Sequence, residues 1–221
     1  MRQLERFLDP SFVSLKICGV TLREDAEQLV TLGVDALGVN FWPRSKRFLA
    51  PEKAVWLREF AGRILRVGVF VNEAPELPLR LIREGLLDVV QVHGDETPED
   101  VAIYRESGVP FFKGIGVKTP DDLKQALAFG AGAILLDAHA PGVYGGTGET
   151  FDWNAAVEFK SRHPHLPVIL AGGIMPHNAA DAAAVVRPAA LDVASGAEIS
   201  PGIKDFNKVT ALLAAIRTNG E

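Results

Sequence analysis

Eight short apolar runs recur along the chain, and a longer segment of mixed polar and apolar residues follows each of them. The runs are SLKICGV from Ser14, ALGVNF from Ala36, RVGVFV from Arg66, DVVQVH from Asp88, PFFKGI from Pro110, AILLD from Ala133, PVILAGG from Pro167 and ALDVASG from Ala190. Most of them are nearly continuous in apolar residues, which is typical of strands buried on both faces. We therefore predict a parallel sheet whose outer face is covered by crossover helices.

The segments between the runs carry helix start and stop signals. Thr-Pro pairs at 97–98 and 119–120 place a capping hydroxyl before an N1 proline, and glycines at 33, 62, 85, 108 and 130 follow the expected helix ends. A closing helix is expected in DFNKVTALLAAIR from Asp205. An open, doubly wound sheet is the alternative architecture, but it would usually carry a glycine-rich dinucleotide fingerprint where only Gly19 stands.

Eight strand-and-helix units, with no linker-like stretch between them, predict one α/β domain over residues 1–221. The expected architecture is an eight-stranded parallel (β/α)8 TIM barrel. Residues 1–12 form an N-terminal extension before the first strand, and the sequence assigns them no role.

Composition limits the classes of partner. The formal net charge is −5 and no basic run occurs, so binding to nucleic acid or to an anionic membrane is not expected. A single cysteine excludes an intrachain disulfide and a cluster of thiolate metal ligands. The first residues lack the apolar stretch of a secretory signal, and no run approaches the roughly 18 apolar residues of a membrane span. We expect the protein to be cytoplasmic. We also expect it to be a monomer rather than a homodimer.

Two strand ends carry candidate catalytic groups, since the active site of such a barrel forms at the carboxyl ends of its strands. Cys18 ends the first run and is a candidate base or nucleophile, although a free cysteine is more often an inert buried residue. Asp137 follows four apolar residues, and partial desolvation would keep its carboxyl group protonated as an acid near neutral pH. A loop cap or an ion pair is the alternative interpretation of Asp137.

Two other sets of strand-end residues predict binding of a phosphorylated small molecule. Arg44, Lys46 and Arg47 stand beside aromatic residues after the second run, where they either bind a planar anion or are simply solvated. Glycine-containing turns follow the seventh and eighth runs, where barrels commonly bind phosphate through backbone N–H groups. The residues of these turns are Gly172, Gly173, Ser195 and Gly196.

The histidines and one long loop complete the candidate site. His93 ends the fourth run and could bind substrate or move a proton. His139 and the other three histidines show no ligand spacing, so no metal is expected. The glycine-bearing stretch from Tyr144 is predicted to cover a bound substrate, or else to be a linker to the next helix.

Lys16 is expected inside the barrel, because it shares the inward parity of Cys18 in a strand of period two. A lone buried ammonium group is costly and needs an anionic partner. We predict that Asp192, on the strand beside the first, supplies that partner.

A set of motifs along the chain resembles the phosphoribosylanthranilate isomerases of tryptophan biosynthesis. The motifs are KICG at 16–19, SKRF at 45–48, VGVFVN at 67–72, QVHGDE at 91–96, LLD at 135–137, GGTGETFDW at 145–153, AGGI at 171–174 and DVASG at 192–196. The resemblance extends from Lys16 to the closing helix. The order of these motifs, and their positions at the ends of successive strands, make a chance match improbable.

The resemblance implies a cofactor-independent Amadori rearrangement, an intramolecular oxidoreduction of the aldose–ketose isomerase type. N-(5-phosphoribosyl)anthranilate would open its furanose ring and become 1-(2-carboxyphenylamino)-1-deoxyribulose 5-phosphate. Asp137 would be the general acid that protonates the ring oxygen, and Cys18 the general base that removes the C2′ proton. Arg47 would bind the anthranilate carboxylate, and the glycine turns would bind the phosphate.

The chain departs from the family pattern at two places. Ala194-Ser195 stands where paired serines are usual, and Ala197 where valine is usual, which leaves backbone donors but could alter phosphate affinity.

Two rival functions remain. One is the analogous isomerase of histidine biosynthesis, whose two catalytic aspartates fit Cys18 poorly, and the other is a non-catalytic barrel that binds a sugar phosphate.

Overall fold

The structure, a computed structural model, describes residues 2–138 and 152–217. Eight parallel strands close into a barrel in chain order, β1 to β8, so the predicted (β/α)8 barrel is confirmed and the open sheet is wrong. Each strand coincides with one apolar run. The strands are β1 Ser14–Cys18, β2 Ala36–Asn40, β3 Leu65–Phe70, β4 Val89–Val92, β5 Phe111–Val117, β6 Ala133–Ala138, β7 Val168–Leu170 and β8 Ala190–Val193.

Helices surround the barrel and also precede its first strand. They are α1 Arg2–Phe7, α2 Arg23–Leu32, α3 Glu76–Arg83, α4 Ala102–Glu106, α5 Trp153–Arg162, α6 Ala179–Val186 and α7 Phe206–Arg217. All five glycines predicted to follow helix ends have positive φ angles, which glycine adopts without steric cost. Helix α7 confirms the predicted closing helix. None of the described helices has both the length and the apolar character needed to cross a membrane.

Two of the predicted crossover helices are 3₁₀ turns instead. The turns after β2 are Pro51–Lys53 and Val55–Phe60, and those after β5 are Pro120–Leu123 and Ala126–Phe129. Their buried apolar residues recur every three positions, at 54, 57 and 60 and again at 123, 126 and 129. A 3₁₀ helix has three residues per turn, so this spacing aligns the apolar side chains on the core.

The Thr-Pro pair at 97–98 does not start a helix, contrary to the sequence prediction. Thr97 and Asp100 instead close a turn through reciprocal hydrogen bonds, and α4 begins only at Ala102. The pair at 119–120 does start a helical segment, a 3₁₀ turn in which the Thr119 N–H donates to the Asp122 carboxylate at 2.7 Å.

The amino-terminal end of the barrel is closed by α1. Phe7 is 1% exposed and packs against the apolar residues that begin the strands, among them Ala36, Leu65 and Ala190. Its ring stacks on that of Phe112 with centroids 6.1 Å apart. The N-terminal extension therefore supplies core to the barrel, a role that its sequence alone did not reveal.

A short antiparallel hairpin follows β8 and was not predicted. A 3₁₀ turn over Ser195–Ala197 leads into β9, Glu198–Ser200, which pairs with β10, Ile203–Lys204. The Lys204 N–H donates to the Asp25 carboxylate of α2 at 3.2 Å, and the Thr21 hydroxyl donates to the Gly202 carbonyl at 2.7 Å. These contacts hold the hairpin over the carboxyl end of β1.

Candidate active site

A cleft with an empty volume of about 620 Å³ opens at the carboxyl ends of the strands. Six of the eight predicted site residues line it: Cys18, Arg47, His93, Asp137, Gly172 and Ser195. The other two, Gly173 and Gly196, are the next residues in the same two turns. The strand-end rule therefore brings the predicted residues together around one cleft.

Lys16 and Asp192 lie beneath this cleft as a buried ion pair, which confirms the predicted partnership. The Lys16 Nζ is 2.8 Å from the Asp192 Oδ1, and the lysine side chain has no solvent exposure. β1 and β8 are adjacent, with Lys16 in register with Asp192. Burial opposes the charge on Lys16, but the charges of Asp192 and then Cys18 outweigh it, so the pKa of the ammonium group is raised.

Cys18 is partly exposed at the end of β1. Burial raises the pKa of its thiol, and this effect outweighs the charge of Lys16, which lowers it. Asp192 adds to the increase, whereas Lys204 opposes it. The sulfur therefore faces charges of both signs, and these charges act on its pKa together with burial.

Asp137 lies at the end of β6 with its side chain 6% exposed. One carboxylate oxygen accepts a hydrogen bond from the Ala138 N–H at 2.9 Å, and the other lies 3.4 Å from the His93 Nε2. The His93 Nδ1 is in turn 2.8 Å from the Gln91 amide nitrogen. A Cβ atom at Gly114 would lie 2.7 Å from the His93 ring, so this glycine makes room for it. His93 is thereby positioned between Gln91 and Asp137.

Arg47 forms an ion pair with Glu198 of the hairpin. Its Nε is 2.8 Å from Oε1 and its Nη2 is 2.6 Å from Oε2, while Lys204 contacts the same carboxylate at 2.8 Å. Burial disfavours the charge on Glu198, but the hydrogen bonds from Arg47 and the charge of Lys204 outweigh it and lower its pKa. Gly19 has a φ of 75°, and a Cβ there would lie 2.2 Å from the Arg47 Cδ. The arginine is thus fixed beside Cys18.

The two glycine turns are packed too tightly to accept a side chain. A Cβ at Gly172, which has a φ of 79°, would lie 2.6 Å from the Ala138 backbone nitrogen. A Cβ at Gly196 would lie 2.0 Å from the Ile174 carbonyl oxygen. The Asn178 side chain bridges the first turn by accepting from the Met175 N–H and donating to the Gly173 carbonyl. The backbone of both turns is therefore fixed next to the cleft.

Sequence analysis missed several residues around this site, among them Gln91, Glu198 and Lys204. Gln91 has the inward parity of His93 in β4, so the period of two could have identified it. Glu198 and Lys204 belong to a hairpin too short for a sequence signal. His139 and the loop from Tyr144 lie outside the described residues. Within 2–138 and 152–217, no group of three or more His, Cys, Asp or Glu residues is arranged to hold a metal ion.

Comparison with known families gives a match over nearly the whole chain. Residues 15–215 match the family described as N-(5′-phosphoribosyl)anthranilate (PRA) isomerase. The N-(5′-phosphoribosyl)anthranilate isomerase of Myxococcus xanthus is 43% identical over 213 residues, which cover 93% of this chain and 97% of that protein.

Solved structures of the same family share the barrel. The phosphoribosyl anthranilate isomerase of Thermotoga maritima has a TM-score of 0.84 and 38% identity, covering 93% of this chain and 99% of its own. An isomerase in complex with reduced 1-(o-carboxyphenylamino)-1-deoxyribulose 5-phosphate has a TM-score of 0.82 and 36% identity over 93% of this chain and 99% of its own. Monomers of the dimeric phosphoribosylanthranilate isomerase of Thermotoga maritima match equally well, with a TM-score of 0.82, 36% identity and the same coverage.

Proposed function

The chain belongs to the N-(5′-phosphoribosyl)anthranilate isomerase family of tryptophan biosynthesis, and we propose that Asp137 is its general acid and Cys18 its general base. One observation carries this assignment of roles. The two side chains line the same cleft from β6 and β1, together with Arg47 and residues of the glycine turns after β7 and β8. A substrate with a carboxylate at one end and a phosphate at the other spans such a cleft with its ribose between acid and base.

Asp137 starts the reaction by protonating the furanose ring oxygen. The C1′–O bond breaks, the nitrogen lone pair forms an iminium ion, and the ring oxygen becomes a hydroxyl group. The position of Asp137 supports this role, because its carboxyl group lies at the end of β6 and lines the cleft. The His93 imidazole, 3.4 Å away, fixes the direction of the carboxyl group.

Cys18 then removes the C2′ proton as a thiolate. The electron pair of the C2′–H bond neutralises the iminium nitrogen and leaves an enolamine, which tautomerises to the aminoketone. The electron pair stays within the substrate, and the proton that Asp137 donates balances the one that Cys18 removes, so we propose that the rearrangement needs no external oxidant, reductant or cofactor. Cys18 forms no covalent bond to the substrate in this scheme.

Arg47 and the glycine turns bind the two ends of the substrate in this proposal. Glu198 engages the Nε and Nη2 of Arg47, and Nη1 makes none of the hydrogen bonds found within 2–138 and 152–217. Nη1 is therefore the nitrogen that we assign to the anthranilate carboxylate. Gly172, Gly173, Ser195 and Gly196 are assigned to the phosphate, which their backbone N–H groups would bind. The solved relative with a reduced carboxyphenylamino-deoxyribulose phosphate supports a ligand of this shape.

The oligomeric state stays a prediction. A monomer is expected for this chain, although the Thermotoga maritima relative is described as dimeric. We also propose a cytoplasmic location, in keeping with a biosynthetic function.

Loss of anthranilate-type fluorescence, as purified protein acts on phosphoribosylanthranilate, tests the proposed roles. We expect Cys18→Ser and Asp137→Asn each to lower kcat by about a hundredfold or more, the usual contribution of a positioned acid or base. Asp121→Asn is the matched control, because this carboxyl group is 75% exposed, pairs with Lys124 and does not line the cleft. Activity within twofold of wild type in either site variant would remove that residue from the mechanism.

A further inference from the structure

The ammonium group of Lys16 and the sulfur of Cys18 converge on one glycine of the neighbouring strand. Cys18 pairs with Gly38 in the register of β1 and β2. A Cβ atom at Gly38 would lie 2.9 Å from the Cys18 Sγ and 2.9 Å from the Lys16 Nζ. Both groups thus occupy the space that a side chain at Gly38 would fill, which brings the ammonium group close to the sulfur.

Four charged groups face the Cys18 sulfur from the elements around it. Lys16 belongs to its own strand, Asp192 to β8, Lys204 to the hairpin and Arg47 to the loop after β2. Among these charges Lys16 acts most strongly on the pKa of the thiol and lowers it, while Asp192 raises it less. Removal of Lys16 and Asp192 together therefore leaves the net charge unchanged but takes away the stronger of the two effects, which stabilises the thiolate.

We propose that Lys16 is a positioning residue for the isomerisation: its buried ammonium group, held by Asp192, stabilises the thiolate form of Cys18. This inference rests on the proposed function, in which Cys18 acts as a base. Asp192 keeps the lysine charged in a place without solvent, because an isolated ammonium group there would lose its proton. The pair thus supplies a fixed positive charge beneath the base.

A contribution to folding alone explains the pair poorly. Replacing a buried ion pair by apolar groups of similar size is often neutral or stabilising, so stability gives little reason for one at this depth. A second buried pair in the chain offers a direct comparison. Lys113 of β5 lies 2.7 Å from Glu96, with side-chain exposures of 5% and 8%. β5 lies on the opposite side of the closed barrel from β1, and Lys113 does not act on Cys18.

Alkylation by iodoacetamide measures the thiolate directly, because Cys18 is the only cysteine of the chain. The rate is followed against pH in wild type, in Lys16→Met/Asp192→Asn, and in the control Lys113→Met/Glu96→Gln. The first double variant removes both charges, so no unpaired charge stays buried. We expect its alkylation midpoint to rise by about one pH unit, and its rate below the midpoint to fall about tenfold. The control should keep the wild-type profile.

A shift confined to the Lys16 variant supports the inference, and a profile that is unchanged, or that moves equally in the control, overturns it. If the variant does not fold, Lys16→Met alone is measured in the same way, with the same outcomes. The isomerase assay separates the two proposals. Full activity of Cys18→Ser would refute the assignment of the base, whereas the alkylation profile would still decide whether Lys16 stabilises the thiolate. With both proposals right, kcat of the Lys16 variant falls and recovers as the pH is raised.

Discussion

Arg47 and Glu198 form a two-point ion pair at the mouth of the barrel, with Nε 2.8 Å from Oε1 and Nη2 2.6 Å from Oε2. The two residues come from different loops, 151 positions apart in the chain. Both side chains are largely buried, at 12% and 3% exposure. The pair therefore fixes the orientation of the guanidinium group before any substrate arrives, which reduces the cost of ordering it on binding.

Arg47→Ala should weaken substrate binding more than it slows the chemical step. In the proposed complex Arg47 contacts the substrate carboxylate in the ground state and in the transition state alike, so its loss should raise KM by about tenfold to a hundredfold, the value of a charged hydrogen bond. Steady-state kinetics test this. Arg44→Ala is the control, since the Arg44 guanidinium lies over the Trp42 ring and has no assigned contact with substrate. An unchanged KM with a collapsed kcat would contradict the prediction.

Glu198→Gln should raise KM by a smaller factor than Arg47→Ala does. Arg47 remains present in this variant, but the charged carboxylate that orients it is gone. We expect an increase of about threefold to tenfold with kcat changed less, from the usual strength of a hydrogen bond to a charged group. Kinetics at several ionic strengths provide the measurement. If KM of Glu198→Gln equals that of wild type, the carboxylate does not position Arg47.

The same substitution gives a pH-dependent effect on stability. The pKa of Glu198 is lowered in the folded protein from its ordinary value of 4.5, so the ionised form favours folding above that value. This contribution should be present in full near neutral pH and lost as the pH falls below about 4.5 and through the lowered pKa of the folded state. The free energies of unfolding of wild type and Glu198→Gln should therefore converge in acid. Glu59→Gln is the control, because the exposed pair of Glu59 with Arg23 should add little at any pH.

The strands, and the end of the barrel at which the cleft lies, could be predicted from local features of the sequence. The apolar runs, their period of two and the points where they end are all visible in the sequence itself. The parity of Lys16 also led correctly to Asp192. Glu198 was missed because its partners Arg47 and Lys204 meet it only after the barrel has closed. The 3₁₀ turns were missed because they place apolar residues at every third position, whereas an α-helix places them three to four positions apart. Over ten residues these two patterns differ little. Tertiary contacts, rather than local propensity, decide such features.

Phe7→Ala should destabilise the protein without changing the active site. The side chain fills the amino-terminal end of the barrel, away from the cleft, and the loss of a buried phenyl ring typically costs about 3–5 kcal/mol. Chemical denaturation measures the free energy of unfolding, and kcat of the folded fraction should stay at the wild-type value. Phe12→Ala is the control, because Phe12 is 39% exposed and its loss should change stability much less. Equal stability of the two variants would show that α1 does not close the barrel.

Gly38→Ala should impair catalysis more than stability. The added methyl group would meet the ends of two side chains, the Cys18 Sγ and the Lys16 Nζ, both at 2.9 Å. These ends can move, so the free energy of unfolding should fall by only about 1 kcal/mol, the low end for an overpacked core. The sulfur and the ammonium group would separate, however, and kcat should fall about tenfold or more, because the proposed base moves out of position. Gly132→Ala is the matched control, since its Cβ would meet only the Phe111 carbonyl oxygen, at 3.6 Å. Wild-type kcat in a folded Gly38→Ala variant would show that the close approach of Lys16 and Cys18 does not matter for the reaction.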